Sequence, residues 1–358
     1  MINILGALIV SCLTTFLSIK VIKPFAKNIG LVDIPNARKA HIGEIPLIGG
    51  ISVFVGVLVA TSLYLPESQM INLYLISSAM LVFIGVLDDK FDLNVSFRVV
   101  AQSLIAMLMV FGANIYLSDF GDILGFGDIK LGALGFIITI VAVIAAINAF
   151  NMIDGIDGLS GTMGIISVLS IASLYLLAGQ TDYIALPLVI AASLLPFLFY
   201  NLSGFSKERR YRKIFMGDAG SMFMGFTIVW LLVMGTQGEG ASFRAVTGLW
   251  IIGIPLMDLC SIVLRRLKKG QSPFVADRDH LHHIFLRMGF TVKETLLIIS
   301  LLALFLAGIG ILGELFRISE VTMFLSFLLT FFAYNSALQH SWKFTKWVKK
   351  IKGNANEV

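Results

Sequence analysis

Charge is scarce in this chain. Asp, Glu, Lys and Arg together make up 14% of its 358 residues, against 57% hydrophobic. That shortage excludes an ordinary soluble domain, and with a mean hydropathy of +0.90 it places the chain among integral membrane proteins. Cysteine is nearly absent: Cys12 and Cys260 both lie in apolar runs, so neither a disulfide framework nor a thiolate metal site follows from them. A basic n-region is missing too. The first cation is Lys20, after a full-length apolar stretch, so that stretch is expected to stay as a helix and not to be cleaved as a signal peptide. There is no GxxxxGK[ST] phosphate loop, and the glycines around Asp157 follow an apolar run, which excludes a Rossmann site.

What the chain has in abundance is apolar runs of bilayer length. At about 20 residues per helix, eleven fit, roughly 2–22, 47–66, 70–87, 98–118, 131–150, 159–177, 183–203, 219–235, 245–264, 292–313 and 320–340. The expected fold is all-α, a polytopic integral membrane helix bundle of about eleven transmembrane helices. With alternate connections assigned to one side, that side holds all of the 27 Lys and Arg except Lys130, Arg244 and Arg317. The positive-inside rule makes it cytoplasmic, with the amino terminus outside and the carboxyl terminus inside. The net charge of +5 then reflects orientation, and nucleic acid is excluded as a partner. Residues 1–341 read as a single transmembrane catalytic domain with cytoplasmic loops at 88–98, 148–161, 204–221 and 265–291. Residues 342–358 read as a basic amphipathic tail: Phe344, Trp347, Val348 and Ile351 form a stripe beside Lys343, Lys346, Lys349 and Lys350, suited to anionic lipid.

Four of the cytoplasmic segments carry more acid, histidine and glycine than loops require. In NAFNMIDGIDGLSG (148–161), Asp154 and Asp157 stand three apart and are expected to share one face of a helical turn. Asn148 and Asn151 repeat that spacing, and Gly155, Gly158 and Gly161 would let a phosphate or nucleotide approach the backbone. A plain polar turn also wants Gly, Asn and Asp, but it does not account for both pairs in step. Asp88, Asp89 and Asp92 close the third span, where a helix macrodipole opposes each carboxylate by about 0.3–1 kcal/mol. They call for Lys90 or Arg98 as counter-charge, or for a divalent ion with phosphate. In FMGDAGS (215–221), Asp218 reads either as the N-cap of the eighth span or, with Gly217 and Gly220, as part of an anion and metal site. The loop from Arg265 gathers His280, His282 and His283 with Asp277, Arg278 and Asp279. Its HxHH spacing is not HExxH, and the surrounding carboxylates favour a hard cation. The histidines therefore read as donors to phosphate oxygens, with transition-metal binding second. Asp258, inside the ninth span, reads as a bundle-facing structural carboxylate, with substrate contact second.

In order, GLVDIPNARKAHIGEIPLIGGI (30–51), LDDKFD, NAFNMIDGIDGL, FMGDAGS, IPLMD (254–258) and SPFVADRDHLHH resemble the polyprenyl-phosphate N-acetylhexosamine-1-phosphate transferases, most of all their bacterial N-acetylglucosamine branch. The resemblance covers nearly the whole chain. It implies a helical bundle in the bacterial inner membrane with a cytoplasmic active site. There N-acetylglucosamine 1-phosphate would pass from UDP-N-acetylglucosamine to undecaprenyl phosphate, with Mg²⁺ or Mn²⁺ as cofactor. UMP would leave, and the product would feed a cell-surface glycan such as lipopolysaccharide O antigen. The resemblance also implies metal binding at Asp218 and catalytic roles for Asp88, Asp89, Asp154 and Asp157, with Asp88 or Asp89 as base at the lipid phosphate. It implies nucleotide contacts at Asn148, Asn151 and Asn201, uracil stacking on Phe215 and a diphosphate clamp at Arg278. Further substrate contacts fall at Lys39, His41, His280, His282 and His283, and a homodimer stays open. The alternatives are the same chemistry on another UDP-N-acetylhexosamine and, from a different class, a transporter or lipid flippase. Transport favours ionisable groups near the midplane, whereas here only Asp258 and Gln102 sit deep in spans and the aspartates cluster at span ends.

Overall fold

Apolar runs of this length must satisfy their own backbone polar groups, and helices do so within one segment. The computed structural model of the chain describes residues 3–35, 43–205, 212–238, 240–272 and 280–340, with 342 and 345. Its helices are α1 (Ile4–Ala26), α2 (Gly49–Tyr64), α3 (Gln69–Phe91), α4 (Val95–Met107), α5 (Leu134–Ile153), α6 (Leu159–Leu177), α7 (Ala185–Asn201), α8 (Gly217–Thr236), α9 (Ala245–Ile251), α10 (Gly253–Lys268), α11 (Leu281–Arg287), α12 (Val292–Leu315) and α13 (Glu320–Gln339). A π-helical turn extends α4 to Gly112. Among the described residues the one sheet is a small antiparallel pair, β1 (Val32–Asp33) with β2 (Ile45–Pro46). The chain is a multi-pass membrane helix bundle.

The bundle is built around α8. Of its apolar span 94% is buried, against 17% for α13, so α8 is the core and α13 the rim. A helix apolar on all sides is stable only when enclosed, and α2, α3, α5 and α6 enclose this one. Outward-facing Leu297, Leu301 and Phe305 on α12 are exposed, as a lipid-facing surface requires.

Each of the eleven anticipated stretches falls on helix, but they are not alike. Among the described residues nine helical segments are long and apolar enough to span alone, while α2 has 16 residues. The ninth stretch, expected as a straight span, is broken: α9 and α10 meet at 83°. Pro255 has no N–H to return to the carbonyl four residues back, and Gly253 adds no side chain to stiffen the joint. The bend turns one face of α10 inward, burying Asp258 and Arg266, and leaves Leu264 and Leu267 exposed.

Candidate active site

The site forms where α3 ends and α8 begins. The two helices touch backbone to backbone, for a Cβ on Gly85 would stand 2.3 Å from Ala219 Cα. Asp89, in the last turn of α3, thereby reaches the first turn of α8 and accepts the N–H groups of Asp218 at 2.9 Å and Ala219 at 3.3 Å. The charge opposed by one helix dipole is thus satisfied by the positive end of another. This replaces the expected N-cap role of Asp218. The chain enters α8 through Gly217 at φ +72°, Met216 occupies the N-cap position, and the capping oxygens come from Asp89 on a different helix.

Relieved of capping, the Asp218 carboxylate faces other side chains. Asn151, in the last turn of α5, donates its amide to Asp218 Oδ1 at 2.6 Å. Asp88 lies close enough to Asp218 to repel it. Asp88 is itself almost fully buried, held by Arg98 Nη1 at 2.7 Å and by the Leu93 N–H at 2.9 Å. Asp92 is exposed and caps α3 in a left-handed conformation, away from this group.

Asp154 and Asp157 do not share a helical face. Helix α5 stops at Ile153, Asp154 leaves it with ψ 46°, and Gly158 at φ +82° restarts the chain as α6. The glycines and aspartates that suggested a site also break the helix there. The two carboxylates part in consequence. Asp154 faces Asp218, and its pKa is pushed up to about 7, first by burial and then by the charges of Asp218 and Asp157. Asp157 pairs with Lys213 at 2.8 Å, and that ammonium lies 4.7 Å from the centre of the Phe215 ring. Asn201 is buried behind them. Its carbonyl oxygen accepts the Gly158 N–H and its amide donates to the Ile214 carbonyl at 2.8 Å, bracing the α5–α6 turn against the segment that carries Phe215. That segment is also stitched to the end of β2, with Phe215 N–H donating to Pro46 O at 2.8 Å. Lys39, His41 and Arg278 lie outside the described residues, as does most of the basic tail.

The three histidines cluster at the start of α11: His280 and His282 are parallel with ring centres 5.8 Å apart, and His283 is tilted against His282 at 4.2 Å. His280 Nδ1 lies 2.8 Å from Asp258 Oδ2. His282 packs on Gly155, where a Cβ would stand 2.1 Å from Nε2. That nitrogen has no partner among the described residues, and burial, with the neighbouring rings, holds the His282 pKa well below its ordinary value.

Some of these residues line a cavity of about 620 Å³, while Asp88, Asp89, Asp157, Asn201, Phe215 and Asp218 stand outside its lining. Arg98, Asn148, Asn151, Asp154, Arg266 and the histidines form its polar side; Val141, Ile144, Leu259 and Val263 form an apolar wall. Asn148 also donates to the Ile144 carbonyl at 2.7 Å. Arg266 escaped the sequence reading because it sits in a run of cations. Its distance from Asp258, two helical turns on the same face, is the signal that would have found it. Among the described residues no three His, Cys, Asp or Glu side chains close into a ready coordination shell. The donor set of buried carboxylates in excess over cations nevertheless has the chemistry a hard divalent ion takes.

A multi-pass helical protein with acids from three helix ends beside a part-polar, part-apolar cavity fits the class of membrane enzymes. The chain belongs to glycosyl transferase family 4, whose sequence profile matches residues 71–236 and so spans α3 to α8 with Asp88, Asp89, Asp154 and Asp218. It is 46% identical to the undecaprenyl-phosphate alpha-N-acetylglucosaminyl 1-phosphate transferase of Pasteurella multocida, over 98% of both chains. The Haemophilus influenzae protein of that name is 45% identical over 98% of this chain and 99% of its own. The Escherichia coli K12 protein of that name is 42% identical over 91% and 89%. The chain is accordingly a transferase.

Proposed function

We propose that the protein transfers N-acetylglucosamine 1-phosphate from UDP-N-acetylglucosamine to undecaprenyl phosphate, giving the lipid diphosphate sugar and UMP. The observation that carries this reading is the meeting of Asp88, Asp89, Asp154 and Asp218 beside a cavity with both a cationic side and an apolar wall. Water-soluble diphosphate and polyprenyl chain need those two kinds of surface together. The near full-length identity to transferases of this name supports the same substrates. The distribution of Lys and Arg supports a cytoplasmic site in the bacterial inner membrane, with residues 1–341 as the catalytic domain and 342–358 as its basic tail.

In the mechanism we favour, a lipid phosphate oxygen attacks the sugar-bound phosphorus of UDP-N-acetylglucosamine, and the bond from that phosphorus to UMP breaks. UMP leaves with the electron pair. Asp88 or Asp89 takes any proton the lipid phosphate still carries, while Arg98 and Arg266 donate to phosphate oxygens and the histidines line the pocket around them. Asn148 and Asn151 orient the nucleotide, and Phe215 offers its ring to uracil once Lys213 yields. Mg²⁺ or Mn²⁺, held by Asp218 with its acidic neighbours, would screen the paired phosphates. Transfer of this kind asks chiefly for positioning and charge neutralisation.

The test is release of labelled UMP by purified protein in detergent, given UDP-N-acetylglucosamine, undecaprenyl phosphate and Mg²⁺. No release under conditions that keep the protein folded overturns the reading and favours a transporter. A panel of UDP-N-acetylhexosamines decides the sugar, and trapping of a phosphorylated enzyme without lipid would replace direct attack by a two-step route.

A further inference from the structure

Asp258 is a buried carboxylate that the proposed chemistry does not use. Both of its oxygens are engaged. Oδ1 accepts the Tyr334 hydroxyl from α13 at 3.0 Å and the Leu281 N–H at the start of α11 at 3.1 Å; Oδ2 meets His280 Nδ1 at 2.8 Å. Asp258 is 2% exposed and His280 6%, so this contact is shielded from water and its geometry is fixed by three elements, α10, α11 and α13. An ionised carboxylate can only accept, so it holds the imidazole proton on Nδ1. The opposite ring nitrogen, Nε2, then carries no proton and can only accept, on a residue that lines the cavity.

The geometry points to Asp258 as a positioning residue for His280, with Tyr334 steadying it: the carboxylate sets the tautomer and rotation of the ring so that Nε2, which then carries no proton, accepts a hydrogen bond from a protonated phosphate oxygen of the substrate. A carboxylate behind a working histidine is a general device, because a ring that turns freely or carries its proton on the wrong nitrogen loses its contact. The bend between α9 and α10 gains a purpose on this account. A straight ninth span would carry Asp258 along the bundle, whereas the turn at Ile252 brings it to the histidine cluster. The inference rests on the proposed transferase reading for the identity of the phosphate, but not for the pairing itself.

Two measurements on the full-length protein test it. In Asp258→Asn the side chain keeps an acceptor for Leu281 and Tyr334 and loses the fixed charge against Nδ1. We expect kcat to fall about 10–100-fold, the range for losing a partner behind a working histidine, with little change in KM for UDP-N-acetylglucosamine. In a His280→Gln background, where no tautomer remains to be set, the same substitution is expected to add almost nothing. Nitrogen-15 spectra of histidine-labelled protein are expected to report the Nδ1–H tautomer at His280 in the wild type and its loss in Asp258→Asn. Wild-type kcat in Asp258→Asn, an equal loss in the His280→Gln background, or an unchanged tautomer overturns the assignment. Inactivity of the wild type towards these substrates sinks the transferase reading instead, and the spectra still decide the pairing.

Discussion

The two ends of the bundle treat charge in opposite ways. Where α12 turns into α13, Arg244 and Glu314 close on each other: Glu314 Oε1 accepts Arg244 Nε at 3.1 Å, its backbone N–H at 2.9 Å and the Thr247 hydroxyl, while the guanidinium also donates to the carbonyls of Gly313 and Ile318. Gln237 fastens the loop before α5 in the same manner, accepting the N–H groups of Ser118 and Asp119. At the opposite end Asp88, Asp89, Asp154 and Asp218 crowd together, and among the described residues Arg98 is the cation in contact with one of them. A network that saturates itself holds helices together. An excess of carboxylates folded against its own repulsion destabilises the protein, and such groups concentrate where a ligand supplies what is missing.

The largest effect should come from the centre of the unsaturated end. Asp218→Asn is expected to lower UMP release by about a thousandfold or more, since metal-held charge stabilisation is worth several kcal/mol. Its thermal midpoint should stay level or rise, because one repelling charge is gone. Near-normal turnover would remove Asp218 from the metal site and break the contrast between the two ends. Arg244→Ala should do the reverse. It leaves Glu314, 17% exposed, without its cation, a loss of about 1–3 kcal/mol in stability. The midpoint should drop while kcat of the surviving folded protein holds; a kcat loss without a stability loss would mean that the outer network reaches the site.

A titration sharpens the same difference. Asp154 has its pKa raised from 3.8 to about 7, so the folded, metal-free protein holds a proton that the unfolded chain releases at lower pH. Stability of that state should therefore fall as pH rises from about 4 to about 7, where the unfolded chain is already ionised and the folded protein is being made to ionise. A cation drawn to the site must expel the proton, so Mg²⁺ affinity should weaken by up to about tenfold per pH unit below about 7 and level off above it. Calorimetry of Mg²⁺ binding across pH measures this, and Asp154→Asn should flatten the slope. A slope that survives the substitution assigns the proton to another group.

What was legible in the sequence follows the range of the forces involved. Apolar runs and acidic, glycine-rich breaks are local signals, and they located the helices and the group Asp88, Asp89, Asp154 and Asp218. The bend between α9 and α10 was also written locally, in Gly253 and Pro255, but a hydropathy window averages over both residues. The rest depends on contacts distant in sequence. That Asp89 caps α8, 129 positions away, and that Asp258 holds His280 depend on helix packing that no run of residues encodes. Asn201, which the resemblance makes a nucleotide contact, shows the same dependence: its amide is engaged by two backbone groups distant in sequence.

Asp157 tests how far the contrast reaches inside the site itself. It is an acid of the same motif as Asp154, yet it is paired as the outer charges are, with Lys213 at 2.8 Å and both side chains about equally shielded. If saturation marks structure and excess marks chemistry, Asp157→Asn should be the mildest of the acid substitutions, with a loss in kcat no greater than about tenfold. The main effect should fall on KM for the UDP-sugar, because Lys213 would be left over the Phe215 ring without its counter-charge. Lys213→Met should mirror it, raising KM by freeing Asp157 to repel the diphosphate. A collapse of kcat in Asp157→Asn comparable to that of Asp218→Asn would move Asp157 into the unsaturated group, and the ion pair with Lys213 would then be a resting contact that substrate breaks.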